Sequence, residues 1–312
     1  MSIKISSVTK KEFKNGNTDN YYHIKISGKD INHVLVNTLR RVSLDLIPVH
    51  AFNSKDTNIK LNTSVYNNDQ IRLKLSILPI YEIDNNITLI DEINNIQMNN
   101  FTENSLDKLQ IFFQKKNDGK DLMYFTTDDC KFYKGGKKIE SIYKRPVLIV
   151  PLQPGQMIEG DCKSSIGIGL HNGIYRAVQI CCYEELSENE YLFKIETRGE
   201  LKEPEILRRA CLIVENKIKL LKEKFSSKEI EGTELELSLI NEDHTLGNLL
   251  TYYLQEHKSV VYAGYKIDHP LQIPKEVNIT IKSNGSKKMK TIILDTFDLI
   301  ESKFKLLRNK LK

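Results

Sequence analysis

An α+β fold in two similar halves, with a strand-rich domain inserted into the first half, is what this 312-residue chain predicts. Three observations carry that expectation. Placing Asn37 over Asn248 aligns Asp30 with Asn241, His33 with His244, Leu35 with Leu246 and Leu39 with Leu250, so two distant helical segments share polar and apolar positions in register. Each of these segments follows a stretch of alternating apolar and polar residues, the period of a half-buried strand. Each half also contains a longer helical stripe, and a repeat with only two copies predicts a pseudo-dimer.

The elements follow in order. Ser2 to Ser7 and Tyr21 to Ser27 read as strands of a hairpin, with Asn15-Gly16-Asn17 as the turn. A helix is expected over Asp30 to Ile47, because Ile31, Val34, Leu35, Leu39, Val42 and Leu46 recur three and four residues apart. Asp30 is its candidate cap and Pro48 its stop. From Ala51 to Tyr143 the asparagine pairs at 67–68, 85–86, 94–95 and 99–100 mark surface loops between short strands. This stretch is the inserted domain, and Lys134-Gly-Gly-Lys137 within it reads as a turn, since it lacks the rest of a phosphate-binding motif.

The chain then returns as the strand Val147 to Leu152, turns at Pro154-Gly155, and continues in strands over Tyr175 to Glu184 and Tyr191 to Glu196, which an antiparallel sheet accommodates. Glu203-Pro204 opens a helix striped by Leu207, Ala210, Val214, Ile218, Leu221 and Phe225. Ser226 to Gly232 is the linker. In the second half, the strand Glu234 to Ile240 leads to a helix capped by Asn241 or Asp243, with Leu246, Leu249, Leu250, Tyr253 and Leu254 on one face. Gly247 inside that helix costs roughly 1 kcal/mol relative to alanine, which predicts close approach of another backbone. A strand over Val277 to Ile281, a turn at Asn284-Gly285 and a final strand near Lys290 to Leu294 precede a helix whose seam is Ile293, Phe297, Ile300, Phe304, Leu307 and Leu311. The domains are thus 1–50 with 146–227, the insert 51–145, and 228–312.

A net charge of +5 with 28% charged residues describes a mildly basic chain, short of the density of a dedicated nucleic-acid clamp. No apolar run reaches the roughly 18 residues that span a bilayer. Met1 to Phe13 lacks the hydrophobic stretch of a secretory signal, so the chain is expected to stay inside a cell or particle. The five cysteines, at 130, 162, 181, 182 and 211, form neither an even framework nor a metal-binding pair two residues apart. Reduced thiols and no structural zinc are expected. Cys181 and Cys182 would point to opposite faces of a strand.

Asn37-Thr38-Leu39-Arg40-Arg41 with Leu46-Ile-Pro48 resembles the first-helix signature shared by the amino-terminal domain of the bacterial RNA polymerase α subunit, the archaeal D subunit and the third subunit of RNA polymerase II. Leu148 to Glu159 and Gly167-Ile-Gly-Leu-His171 resemble that family's return into its first domain. Asn241 to Leu250, containing His244, Thr245, Leu246, Gly247, Asn248 and Leu249, is similar with Ala263 to Leu271 to the archaeal L subunit and the eleventh subunit of RNA polymerase II. The resemblance covers most of the chain apart from about ninety residues in the middle, and implies that both members of one heterodimer are fused. It implies a non-catalytic assembly platform; some relatives carry a metal or cluster site in the inserted domain, but only Cys130 falls in that region here, so no cofactor and no metal are carried over. The implied partners are the largest and second-largest polymerase subunits together with small subunits, DNA being reached only through the complex and no membrane being involved. The eleven residues at 37–41 and 244–249 are the implied partner-interface set, with Arg40 and Arg41 helping to hold the second-largest subunit. The fusion, with heavy use of lysine, asparagine and isoleucine, resembles the economical polymerases of large cytoplasmic DNA viruses. A virion or host cytoplasm is the implied location, with a nucleus as the alternative.

Blander readings compete residue by residue. His244 has no cysteine or second histidine at ligand spacing, which favours a structural or capping role over a base or metal ligand. Lys303 to Lys312 read as the wet side of an amphipathic helix, and Asp128-Asp129 beside Thr126-Thr127 as a turn. A stand-alone nucleic-acid-binding module and a small-molecule enzyme are the other classes. The first would need aromatics interleaved on a basic sheet, and the second a nucleophile with its base or a metal cluster.

Overall fold

The computed structural model describes residues 3–11, 20–81, 108–227, 230–269 and 275–311. The turn expected at Asn15-Gly16-Asn17, three of the asparagine pairs and part of the linker lie outside them. In chain order the first half and insert run β1 (Lys4–Lys11), β2 (Asn20–Ser27), α1 (His33–Asp45), β3 (Val49–Asn62), α2 (Asn68–Ser76), β4 (Leu109–Lys116), β5 (Met123–Thr126), β6 (Cys130–Lys134), β7 (Lys137–Ile139), β8 (Leu148–Leu152), β9 (Met157–Gly167), β10 (Val178–Ser187), β11 (Glu190–Thr197) and α3 (Glu203–Ser226). The second half follows as β12 (Glu234–Ile240), α4 (His244–Gln255), β13 (Val260–Lys266), β14 (Glu276–Ser283) and α5 (Met289–Lys310).

Two antiparallel sheets, ordered β1-β2-β11-β10 and β12-β14-β13, belong to the two halves. Their helices meet in a single core that runs without a break from Ile24, Leu35 and Phe193 to Leu249, Val277 and Phe304. The halves therefore share their interior, as two subunits of an obligate dimer do. Along this core α3 and α5 pack antiparallel. Phe225 meets Phe297 at 6.1 Å between ring centroids near one end, and Glu215 takes Nε and Nη2 of Arg308 at 2.7 and 2.9 Å near the other. Lys222 pairs with Asp298 between them.

A second core holds Phe52, Ile71, Leu109, Phe113, Phe125, Val150, Ile158 and Cys162. Its five-stranded sheet has the order β3-β9-β4-β6-β7, with β5 and β8 paired separately. The strands β3 and β9 connect the cores: Val49 and Ala51 lie in the first, whereas Phe52 and Cys162 lie in the second. Val150, Leu152 and Ile158 also pack in the second core, and the chain regains the first only at Tyr175 to Val178. The expected domain change at 145/146 thus falls inside the second core, because β8 and β9 are apolar enough to fit either interior by pattern alone. A clamp steadies the junction. The Tyr81 hydroxyl donates to the Arg198 carbonyl at 3.1 Å and its ring lies edge-on to Tyr143 at 6.0 Å. Glu200, with a side chain only 3% exposed, lies 2.9 Å from Arg198 Nη2, and burial raises its carboxyl to about 7 although Arg198 pulls it back.

Three local expectations change. Residues 290–294 are not a strand but the first turns of α5, since Met289, Ile292, Ile293 and Thr296 bury one helical face; the third strand of that sheet is β13. The insert contains a helix, α2, where loops and strands were expected. Its start is a capping box in which Asn67 accepts from Gln70 N and the Gln70 side chain accepts from Asn67 N. Asn32, not Asp30, caps α1 by accepting from Leu35 N.

Candidate assembly interface

Helices α1 and α4 begin at the aligned histidines His33 and His244, so the sequence repeat matches them residue for residue. Asp243 caps α4 by accepting from Thr245 N at 2.8 Å, one residue after Asn241 and Glu242 have turned the chain. Asn241 adopts φ 62°, a left-handed conformation that asparagine tolerates, and its N–H donates to Lys275 O.

The apolar faces of the two helices are buried in the shared core, against their own sheets as well as across the join. Thr38, Leu39, Leu246, Gly247 and Leu249 are buried there, Thr38 being 3% exposed, so none of the five can touch an outside partner in this arrangement. Gly247 does permit a close approach, but by side chains and not by a backbone: an added Cβ would meet Tyr265 Cδ2 at 2.8 Å and Val277 Cγ1 at 2.9 Å. What remains outside is a stripe at helical spacing on each helix, His33, Asn37 and Arg41 on α1, and His244, Asn248 and Tyr252 on α4. Asn37 accepts from half-buried Arg40 Nε at 3.0 Å, and exposed His244 places Nδ1 3.3 Å from the Tyr265 hydroxyl.

The stripes touch at two corners. At one, Arg41 Nε donates to Thr245 Oγ1 at 2.7 Å and its Nη2 to Asp243 Oδ2 at 3.0 Å. At the other, Asn32 Nδ2 donates to the Tyr253 hydroxyl at 3.1 Å and His33 lies edge-on to Tyr252 at 5.9 Å. Behind them stand two lysine buttresses. Lys217 of α3 reaches Glu242 at 2.7 and 2.9 Å, and Lys303 of α5 reaches the carbonyl and carboxylate of Asp30 at 3.2 and 3.1 Å. Each links a long helix of one half to the turn before the other half's helix, as a two-fold relation requires. A cavity of about 50 Å³ between the halves is lined in part by Arg41, Lys217, Asn241, Glu242, Asp243 and Thr245.

Electrostatics match this geometry. Burial alone would raise the Asp243 carboxyl, but the Thr245 bonds and the Arg41 guanidinium outweigh it and hold the group below its ordinary range. Burial raises Glu242 against the pull of Lys217, and pushes Tyr253 up to about 12. Lys303, expected on a wet face, is buried; with Arg308 it departs from that pattern, whereas Lys305 and Lys310 remain exposed. Asp129 closes the expected turn, accepting from Thr126 N and pairing with Lys115. Cys181 is buried and Cys182 exposed, and burial pushes the thiols of Cys130, Cys162 and Cys181 up to about 12. Among the described residues no group of three or more His, Cys, Asp or Glu side chains could hold a metal ion, and no helix is long and apolar enough to cross a membrane.

The residues that sequence reasoning missed are Asn32, Lys217, Tyr252, Tyr253 and Lys303. The repeat points to Asn32, as the counterpart of Asp243, but the two lysines carry no local signal.

Two family models, both described as the RNA polymerase Rpb3/Rpb11 dimerisation domain, match residues 25–218 and 234–310. The chain belongs to this dimerisation-domain family of RNA polymerase. It carries the domain twice in one polypeptide, one match in each of the halves that share the first core, the first match also spanning the insert. A protein of Acanthamoeba polyphaga mimivirus described as a DNA directed RNA polymerase subunit is 28% identical over 81% of this chain and 80% of its own length. The RPAC2 subunit of RNA polymerases I and III from Saccharomyces cerevisiae is 36% identical over 28% of this chain and 63% of its own length. Rpo11 of Metallosphaera sedula is 45% identical over 18% of this chain and 60% of its own length.

Proposed function

We propose that this chain is the non-catalytic assembly platform of a multisubunit DNA-dependent RNA polymerase, on which the two large catalytic subunits and small subunits dock. The observation that carries this reading is the common core of two unlike dimerisation domains, which fixes one asymmetric surface. The first half engages the second-largest subunit and the second half the largest. Catalytic magnesium belongs to those partners, and DNA is reached only through the complex. The working place is a virion or host cytoplasm, in keeping with the mimivirus relative.

Within the partner-interface set the roles divide by exposure. Asn37, Arg40, His244 and Asn248 are placed to touch a docking subunit, Arg41 and Thr245 tie the halves together, and the five buried residues support them from beneath. The fusion makes the pairing of the halves intramolecular, with an effective concentration on the order of millimolar for a short linker. Affinity purification of the tagged chain from its native source, with mass spectrometry of what co-purifies, is expected to recover two very large polymerase subunits in about equal amounts. Arg40→Glu is expected to reduce capture of the second-largest subunit about tenfold or more while the circular dichroism spectrum is unchanged. Full capture by that variant refutes its role, and a lone monomer from the native source refutes the platform.

A further inference from the structure

The two corners where α1 meets α4 are related by the pseudo-two-fold axis yet chemically unlike. The register that aligns His33 with His244 makes Asn32 the counterpart of Asp243 and Arg41 the counterpart of Tyr252. One corner is ionic, Arg41 against Asp243 and Thr245; the other is neutral and aromatic, Asn32 and His33 against Tyr253 and Tyr252. The lysine buttresses, by contrast, are of one kind at both ends, a lysine of a long helix on an acidic residue just before the other half's helix, although Glu242 sits one register position later than Asp30. We propose that the alike contacts determine how any two such halves dock, while the unlike corners choose which halves dock, so that each half selects the other over a second copy of itself.

The argument is one of mismatched partners. Two first halves would set Arg41 against Asn32 twice, leaving two half-buried guanidinium groups without their carboxylate. They would also leave Glu215, held through both oxygens by Arg308 of the second half, without that cation. Two second halves would set Tyr252 and Tyr253 against His244 and Asp243 twice, leaving two half-buried carboxylates without Arg41. Removing one member of a partly desolvated charge pair costs more than the pair is worth as a whole. Building that penalty into the wrong pairing is a direct route to specificity. The linker then supplies proximity but not selectivity.

A protease site placed in the full chain between Ser227 and Gly232 allows the folded protein to be nicked. Native mass spectrometry after equilibration then counts first–second pairs and self-pairs. The nicked wild type is expected to contain first–second pairs almost alone. Arg41→Tyr combined with Asp243→Asn removes both charges of the ionic corner and places there the counterparts of Tyr252 and Asn32 while retaining a helix cap, and is expected to raise the self-paired fraction about tenfold. A merely structural role would loosen the halves without producing self-pairs. Should the double variant misfold, salt decides on the wild type: going from about 0.1 M to about 1 M shortens the screening length from about 10 Å to about 3 Å and is expected to raise the self-paired share. A statistical mixture in the nicked wild type, no gain of self-pairs in a folded double variant, or a composition indifferent to salt overturns the proposal.

Discussion

At position 247 the absence of a side chain sets how closely α4 lies on its sheet. Alanine there would drive its Cβ into Tyr265 and Val277, both anchored, so Gly247→Ala is expected to lose about 1–3 kcal/mol despite its better helix propensity, measured as a lower urea midpoint. Gly169 is held by a similar constraint, since an added Cβ would stand 2.8 Å from the Leu44 carbonyl, and Gly167 leaves room for the ring of Tyr175. Glu200 supplies a pH signature. Its carboxyl sits near 7 in the folded chain against 4.5 ordinarily, so between those values the native state binds the extra proton and stability falls as pH rises. The loss is expected to reach up to about 3 kcal/mol, and Glu200→Gln is expected to flatten it in denaturation curves collected from pH 4.5 to 7.5. Asp243 acts with the opposite sign. Its lowered carboxyl stabilises the fold above the ordinary carboxylate range and loses that effect as pH falls through its folded value.

At the scale of elements, the α3–α5 seam does most of the joining between halves. Phe297 is buried against Phe225 in this seam, and Phe297→Ala is expected to cost about 3–5 kcal/mol, read by thermal or chemical unfolding. The seam of α5 was legible in the sequence because an apolar stripe with spacings of three and four has few other uses. Its beginning was not, since Thr291-Ile-Ile-Leu294 is β-branched enough to pass for a strand, and only burial of Met289, Ile292 and Thr296 on one side distinguishes the helix. Likewise Asn67-Asn68 reads as a loop until Gln70 is recognised as the other half of a capping box. The helix signature at 37–41 was legible as an assembly element. That five of the eleven residues expected at a partner interface are buried within the protein was not, because such burial looks, in sequence, the same as burial against a separate subunit.

At the scale of the whole molecule, the fused pair behaves as one dimer in one chain. The alignment of Asn37 with Asn248 foretold the pseudo-dimer, whereas Lys217, Lys303 and the unlike corners required the geometry, because each depends on contacts between residues hundreds of positions apart or on a turn of the opposite half. The wild-type chain is accordingly expected to unfold in one transition for both halves, with a second transition only for the insert and its separate core; tryptophan is absent, so tyrosine fluorescence and circular dichroism are the probes. Two separate transitions, one for each half, would contradict the continuous core.

The strand β3, 14 residues long, begins in the first core at Val49 and continues along the second core past Phe52 and Ile59. At about 3.3 Å per residue such a strand reaches roughly 45 Å, less where it bulges. It pairs with β9 from Val49 opposite Gly167 to Asn62 opposite Ile158, a ladder interrupted by bulges, and the Tyr81–Arg198 bond is a second tie between the cores. The insert is therefore carried on two strands rooted in the first core, not on a single flexible connection.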